Sequence, residues 1–244
     1  MQMGDLAVVV TGGPDRSGGG DGPVVVLMHG YGAPPEDLVP LFRVLDVPRE
    51  VRFVFPAAPI ALDPRLPAGA SGRAWWPLDM GELNEIAASG DIGRLQTMDP
   101  PALAEARKSL ESLLDALTRE LSATPDSIVI GGFSQGAMLA TDIVLTTERA
   151  FAGLAILSGT LVRKNAWQAS APARKGLPVL MSHGRADPVV PFQNAEALRD
   201  VLVDAGLQVE WLPWSGGHGI PDGAVERLSA FIRRTTERSG AARS

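Results

Sequence analysis

Residues 131–140, GGFSQGAMLA, set Ser134 between Gly132 and Gly136, directly after the β-branched run SIVI and before a helical pattern. A serine that only shapes a turn needs no such neighbours. A strand-to-helix turn sharp enough to expose a side chain strains the backbone at the serine, and flanking residues must lack bulk for the chain to pass closely. Such a turn lifts Oγ above the carboxyl edge of a sheet, at the start of a helix whose dipole favours developing negative charge. Gly-x-Ser-x-Gly occurs once in the chain. It predicts strand, turn and helix, with a hydroxyl presented for nucleophilic attack.

Outward from this unit, short apolar runs recur: LAVVV (6–10), VVVLM (24–28), VRFVF (51–55), SIVIG (127–131), GLAILS (153–158), PVLMS (178–182) and VEWLP (209–213). Most are apolar at successive positions, as in strands covered on both faces. Helical patterns alternate with them at 35–45, 99–123, after Ser134, and at 192–206 and 221–238. In the second, Asp99 reads as the N-cap, and Leu103, Leu110, Leu113, Leu114, Leu117 and Leu121 form one core stripe. The alternation predicts an α/β fold: a mostly parallel sheet of about seven strands with helices on both faces, in a single domain over 1–244. The helix-free TGGPDRSGGGDGP suits an antiparallel hairpin between the first two strands, and the tail from Thr235 is expected to fray.

One connection is anomalous. Between Phe55 and Asp99 lie 43 residues rich in proline, glycine and alanine, where about 4–6 usually suffice. That length, with Trp75, Trp76, Leu78, Met80, Leu83 and Ile86 inside it, predicts a long apolar lid-like loop over about 56–98.

Composition narrows the chemistry. A net charge of −6 without a lysine/arginine block argues against a nucleic-acid surface. Cysteine is absent, which removes disulfides, thiolate metal sites and a cysteine nucleophile. His29, His183 and His218 are scattered and form no HExxH pair, so no metal is expected. No run approaches the roughly 20 apolar residues of a membrane span. MQMGDLAVVVTGG does not read as a signal peptide, so the expected location is cytoplasmic.

A serine hydroxyl is a weak nucleophile without a base to take its proton. In hydrolases with this turn the partners follow in the order Ser, Asp/Glu, His, each on a loop after a later strand. PVLMS runs into HGRADPVVP, which supplies Asp187, and VEWLP runs into WSGGHGIP, which supplies His218. Asp204 lies within a helical pattern, Asp222 opens the last helix as a cap, and His29 and His183 read as structural. The glycines flanking His218 show no packing reason and suggest a mobile loop. Two donors are needed for the oxyanion. One is the backbone N–H of Gln135, and the other that of Tyr31 in His29-Gly30-Tyr31-Gly32.

These residues resemble the phospholipase/carboxylesterase family of α/β-hydrolases, which includes acyl-protein thioesterases and small bacterial carboxylesterases. The matching segments are LMHGYGAPPEDLVPL, RFVFPAAPIAL, GRAWWPLDM, IVIGGFSQGAMLA, LPVLMSHGRADPVVP and GGHGI, spread over nearly the whole domain. The resemblance implies the α/β-hydrolase fold, with the nucleophile on Ser134, the acid on Asp187, the base on His218 and the oxyanion donors on Gln135 and Tyr31. It also places Trp75 or Trp76 beside the acyl pocket, with Leu78 on the same segment. The GYGAPPEDL form looks closer to the bacterial esterases. In the thioesterase branch leucine is common at the position of Tyr31, and an aspartate typically follows HGLG.

The expected activity is hydrolysis of small carboxylic esters with short or medium acyl chains, and of some thioesters, through an acyl-enzyme and without a cofactor. A homodimer contact is a further use for the apolar loop. One rival is a lysophospholipase or acyl-protein thioesterase acting on long acyl chains. The other is a non-catalytic hydrolase-fold ligand receptor, which has no use for serine, base and acid together.

Overall fold

The computed structural model describes residues 1–66 and 71–241. Its strands, in chain order, are β1 (Gln2–Met3), β2 (Leu6–Gly12), β3 (Val24–Met28), β4 (Arg52–Pro56), β5 (Ile60–Ala61), β6 (Arg73–Ala74), β7 (Ile128–Phe133), β8 (Gly153–Leu157), β9 (Pro178–Gly184) and β10 (Gln208–Trp214). The helices are α1 (Leu41–Val44), α2 (Met80–Ser89), α3 (Ile92–Thr97), α4 (Leu103–Glu120), α5 (Gln135–Thr146), α6 (Lys164–Ser170), α7 (Phe192–Asp204) and α8 (Asp222–Ala241). Eight strands make one sheet in the order β1-β2-β4-β3-β7-β8-β9-β10, while β5 and β6 form a separate antiparallel ribbon.

From β4 to β10 the neighbouring strands of this sheet run parallel, which gathers their carboxyl ends along one edge. β3 and β4 are buried at every position, as their unbroken apolar runs require. Successive side chains point to opposite faces. Ile130 joins a core layer with Leu110, Leu113 and Leu117 of α4 and Ile143 of α5. Val129 joins the other layer, with Phe53, Phe55 and Leu228, Phe231 and Ile232 of α8.

Several local features differ from expectation. β2 does not pair with β3; it lies antiparallel against β4, which is inserted between them. The connection therefore crosses the start of β4, where buried Arg52 anchors it. The guanidinium donates to the carbonyls of Gly20 (2.9 Å), Gly22 (2.6 and 2.9 Å) and Leu121 (2.7 Å), so a buried cation is satisfied by fixed carbonyls. The helix expected at 35–45 shrinks to α1 because Pro40 lacks an N–H and its ring excludes a helical carbonyl behind it. Tighter turns replace it, such as Asp37 N–H to Pro34 O at 3.1 Å. Asp99 does not cap α4; it lies 2.7 Å from Arg163 Nε, and Ala102 holds the cap position. α8 continues to Ala241, with Thr235 and Thr236 buried, so the chain does not fray at Thr235. α6 and the short β1 are additional to the elements expected from the sequence.

The segment 56–98 is not an irregular loop. It holds the β5–β6 ribbon, α2 and α3. Asp79 caps α2 by accepting from Glu82 N–H at 3.0 Å, and Asp91 caps α3 by accepting from Arg94 N–H at 3.1 Å. Trp75, Trp76 and Ile86 are buried, which makes the segment part of the packed body. The side chains of Met80 and Leu83 lie outside the described residues.

Candidate active site

β7 ends at Phe133 and α5 begins at Gln135, leaving Ser134 alone in the turn at φ 53° and ψ −117°. That backbone is costly for a residue with a Cβ and persists only where the surroundings enforce it. The enforcement is visible. Ser134 N–H donates to Leu157 O of β8 at 2.9 Å, and Ser134 O accepts from Met138 N–H at 3.1 Å. A Cβ on Gly136 would stand 2.2 Å from Met28 O, and one on Gly132 2.5 Å from the same oxygen. The two glycines let the turn close against the end of β3.

Asp187 and His218 follow β9 and β10, at the same sheet edge as Ser134. His218 Nδ1 donates to Asp187 Oδ2 at 2.7 Å, and Asp187 Oδ1 accepts from the N–H groups of Val189 and Val190, both at 2.8 Å. Burial pushes the Asp187 carboxyl up, but the bonds from His218 and the two backbone donors outweigh it and hold it below its ordinary range. With Nδ1 bonded to the acid, Nε2 of His218 is the nitrogen left for a substrate-side proton. The Phe133 ring packs on the imidazole, centroids 4.8 Å apart. No hydrogen bond joins the Ser134 hydroxyl to His218, although both border one cavity; such contacts are commonly long before substrate binds.

Of the glycines around His218, Gly216 has a packing reason, because a Cβ there would overlap the Trp214 ring, whereas a Cβ on Gly217 would come no closer than 3.7 Å to Pro188 Cδ and one on Gly219 would meet nothing within 4 Å. A Cβ on Gly184 would meet Gly217 O at 2.2 Å and Gly216 O at 2.3 Å, and Ala186 N–H donates to Gly216 O at 2.9 Å. The Asp187 and His218 loops are thus pressed together, not left loose.

Gln135 occupies the first position of α5, where a backbone N–H has no acceptor earlier in the helix. Its side chain spans to the tryptophan turn: Oε1 accepts from Trp75 N–H and Nε2 donates to Trp76 O, each at 2.9 Å. Tyr31, in the loop after β3, borders the same cavity as Ser134 and Gln135. That loop is braced from the same turn. Gly32 N–H donates to Arg73 O at 2.9 Å, Arg73 N–H to Ala33 O at 3.0 Å, and Trp75 Nε1 to His29 O at 2.9 Å.

The cavity has a volume of about 510 Å³ and is lined mostly by apolar groups, among them Trp76, Leu78, Ile86, Leu95, Met98 and Met138. Trp76 and Leu78 thus stand where a pocket wall was expected. Trp75 does not border the cavity; it is buried beneath the His29 loop, with ring centroids 5.6 Å apart. The two neighbouring tryptophans divide wall and brace between them.

His29 and His183 are buried, and burial lowers the pKa of both, keeping them neutral near pH 7. His29 Nε2 accepts from Ala58 N–H at 3.1 Å while Nδ1 bonds Gly30 O at 2.8 Å, a bracing role. His183 reaches further than sequence reasoning allowed. Its Nε2 lies 3.0 Å from Val190 O and 3.3 Å from Asp187 Oδ2, so the acid touches two imidazoles. The HG before RAD was its only signal. Asp204 and Asp222 sit at helix ends and border no part of the cavity. Among the described residues no group of three or more His, Cys, Asp or Glu is arranged to hold a metal ion, and no helix is long and apolar enough to cross a membrane.

Comparison with known proteins bears on this geometry. The profile of a family described as phospholipase/carboxylesterase matches residues 17–236. An acyl-protein thioesterase 1 of Neurospora crassa is 32% identical over 196 residues, covering 78% of this chain and 74% of its own. Carboxylesterase SOBER1 of Arabidopsis thaliana is 29% identical over 168 residues, covering 68% of this chain and 69% of its own. Among solved structures, that of esterase PE8 superposes with a TM-score of 0.76 at 26% identity, over 94% of this chain and 99% of that one.

Proposed function

The chain belongs to the phospholipase/carboxylesterase family and is a carboxylesterase-type serine hydrolase, and we propose that Ser134, His218 and Asp187 carry its reaction. His218 takes the Ser134 proton through Nε2 as Oγ attacks the ester carbonyl. Asp187 holds the imidazole with Nδ1–H toward itself and stabilises the imidazolium. The backbone N–H groups of Gln135 and Tyr31 receive the oxyanion. His218 then protonates the departing alcohol, and water repeats the sequence on the acyl-enzyme. The observation that carries this reading is the 2.7 Å bond from His218 to a shielded Asp187, beside the strained Ser134.

Residues 1–244 act as one domain in this reading, on small esters whose uncharged short or medium acyl group occupies the cavity under Trp76 and Leu78. Long-chain thioesters form a second reading. It is favoured by relatives named acyl-protein thioesterase and by the apolar run of the cavity to Met98 and Leu95.

The test is hydrolysis of p-nitrophenyl esters from acetate to palmitate, comparing wild type with Ser134→Ala. Loss of the serine should lower kcat by roughly 10⁴–10⁶, and the chain-length optimum separates the two readings. Wild-type rates in the variant would remove Ser134 from the mechanism.

A further inference from the structure

A second cavity, of about 310 Å³, adjoins the first and is bordered by Leu38, Pro40, Leu41, Val44 and Ile220. Phe133 and Asp37 line both cavities. The Phe133 ring packs on His218, and Ile220 follows His218 by two residues. The smaller cavity therefore lies beside the base. The larger one extends to Leu95 and Met98, near the end of α3. A leaving group must stand next to the imidazole that protonates it, which puts it on the side of Phe133 and Ile220.

We infer that the smaller cavity is the subsite for the alcohol half of the ester, and that it favours apolar alcohols bearing a cation over neutral ones, and neutral over anionic. The inference rests on the esterase reading and names its substrate class. Its walls are apolar except for Asp37, which is exposed and forms no ion pair with any described residue. Glu36 adds negative charge beside it. Arg73 is held by the carbonyls of Ala58 and Pro59, and neither it nor Arg43, which lies on α1 between Leu41 and Val44, borders either cavity. An unneutralised carboxylate at an apolar wall attracts a cationic group and repels a phosphate or sulfonate.

The test compares three butyrate esters, of 3,3-dimethylbutanol, of choline as its cationic isostere, and of 2-hydroxyethanesulfonate. At low salt, kcat/KM for the choline ester should exceed that of the neutral isostere by roughly two- to fivefold, the scale of one exposed charge pair. The sulfonate should fall below the neutral ester by a similar factor, and both differences should shrink as salt rises. Asp37→Asn should bring the choline-to-neutral ratio close to one. Val44 is 62% exposed, so Val44→Glu and Val44→Lys report on the cavity without disturbing the core; the first should widen the ratio and the second invert it. Equal kcat/KM for the three esters, or a ratio that ignores all three substitutions, overturns the alcohol subsite. Failure of the wild type to cleave even p-nitrophenyl butyrate removes the esterase reading, and the subsite with it.

Discussion

Asp142→Ala should destabilise the protein severely and shift its selectivity without stopping its chemistry. Asp142 is fully buried in α5, and its carboxylate accepts from Arg107 Nη1 at 2.9 Å, Arg163 Nη1 at 2.7 Å and Trp167 Nε1 at 2.9 Å. Arg107 belongs to α4 and Trp167 to α6, so one carboxylate ties three helices together. Removing it leaves the Trp167 indole N–H without its acceptor and deprives two partly buried guanidinium groups of their shared carboxylate, Arg107 keeping only Thr146 Oγ1 and Arg163 only Asp99. Breaking a buried pair from one side costs about 3–5 kcal/mol. At about 2–4 °C per kcal/mol for a chain of this size, Tm should fall by roughly 6–20 °C. Arg163 also donates its backbone N–H to Met98 O at 3.0 Å and lies 2.7 Å from Asp99 Oδ1, so the same loss frees the cavity wall at Met98. KM for octanoate esters should therefore rise more than KM for acetate. Calorimetry and two substrate titrations measure both effects. A Tm within about 2 °C of wild type, with an unchanged KM ratio, would refute the account of Asp142 as the junction behind the pocket.

The tryptophan turn separates cleanly by substitution. Trp75→Ala should cost about 3–5 kcal/mol in a denaturant melt, whereas Trp76→Ala should also lengthen the preferred acyl chain in the ester series; identical chain-length profiles would contradict their division of roles. Gly136→Ala puts a Cβ 2.2 Å from Met28 O and should cost about 1–3 kcal/mol while lowering kcat through a displaced Ser134. Wild-type kcat in that variant would show that the turn tolerates bulk. Stability should also depend on pH. His29 and His183 have pKa values lowered from 6.5 by burial, so the unfolded chain binds protons that the folded one refuses. Their contribution is whole above about pH 6.5 and declines as pH falls below it, with Asp187 adding a further loss below about pH 3.8. Urea midpoints at about pH 7.5 and about pH 5.5 should differ in that direction, and equal midpoints would contradict it.

What the sequence disclosed follows from how local each cause is. Ser134, Asp187 and His218 were legible because each sits directly after an apolar run whose end the sequence marks. The core stripe of α4 was legible because its leucines repeat at helical spacing. The insertion of β4 between β2 and β3 was not, because it rests on Arg52 reaching carbonyls of Gly20, Gly22 and Leu121, which are distant in the chain. The helices of the 56–98 segment left signs that length and proline content obscured: Asp79 and Asp91 each stand three residues before the N–H they cap. The packing of Gly184 against Gly216 and Gly217, and the second imidazole on Asp187, depend on two loops meeting in space. No spacing along the chain announces either.

Gln135 has one further consequence, for how such an enzyme changes substrate over generations. Its backbone opens α5 beside Ser134, while its amide holds Trp75 and Trp76. A substitution at the tryptophan turn is therefore felt at the reacting carbon as well as at the acyl chain. Ile86, Leu95 and Met98 add to the wall from a segment whose two helices are capped by their own aspartates. Changes on α2 and α3 can therefore reshape the acyl side of the pocket without passing through Gln135, whereas changes at 73–76 are transmitted to the start of α5.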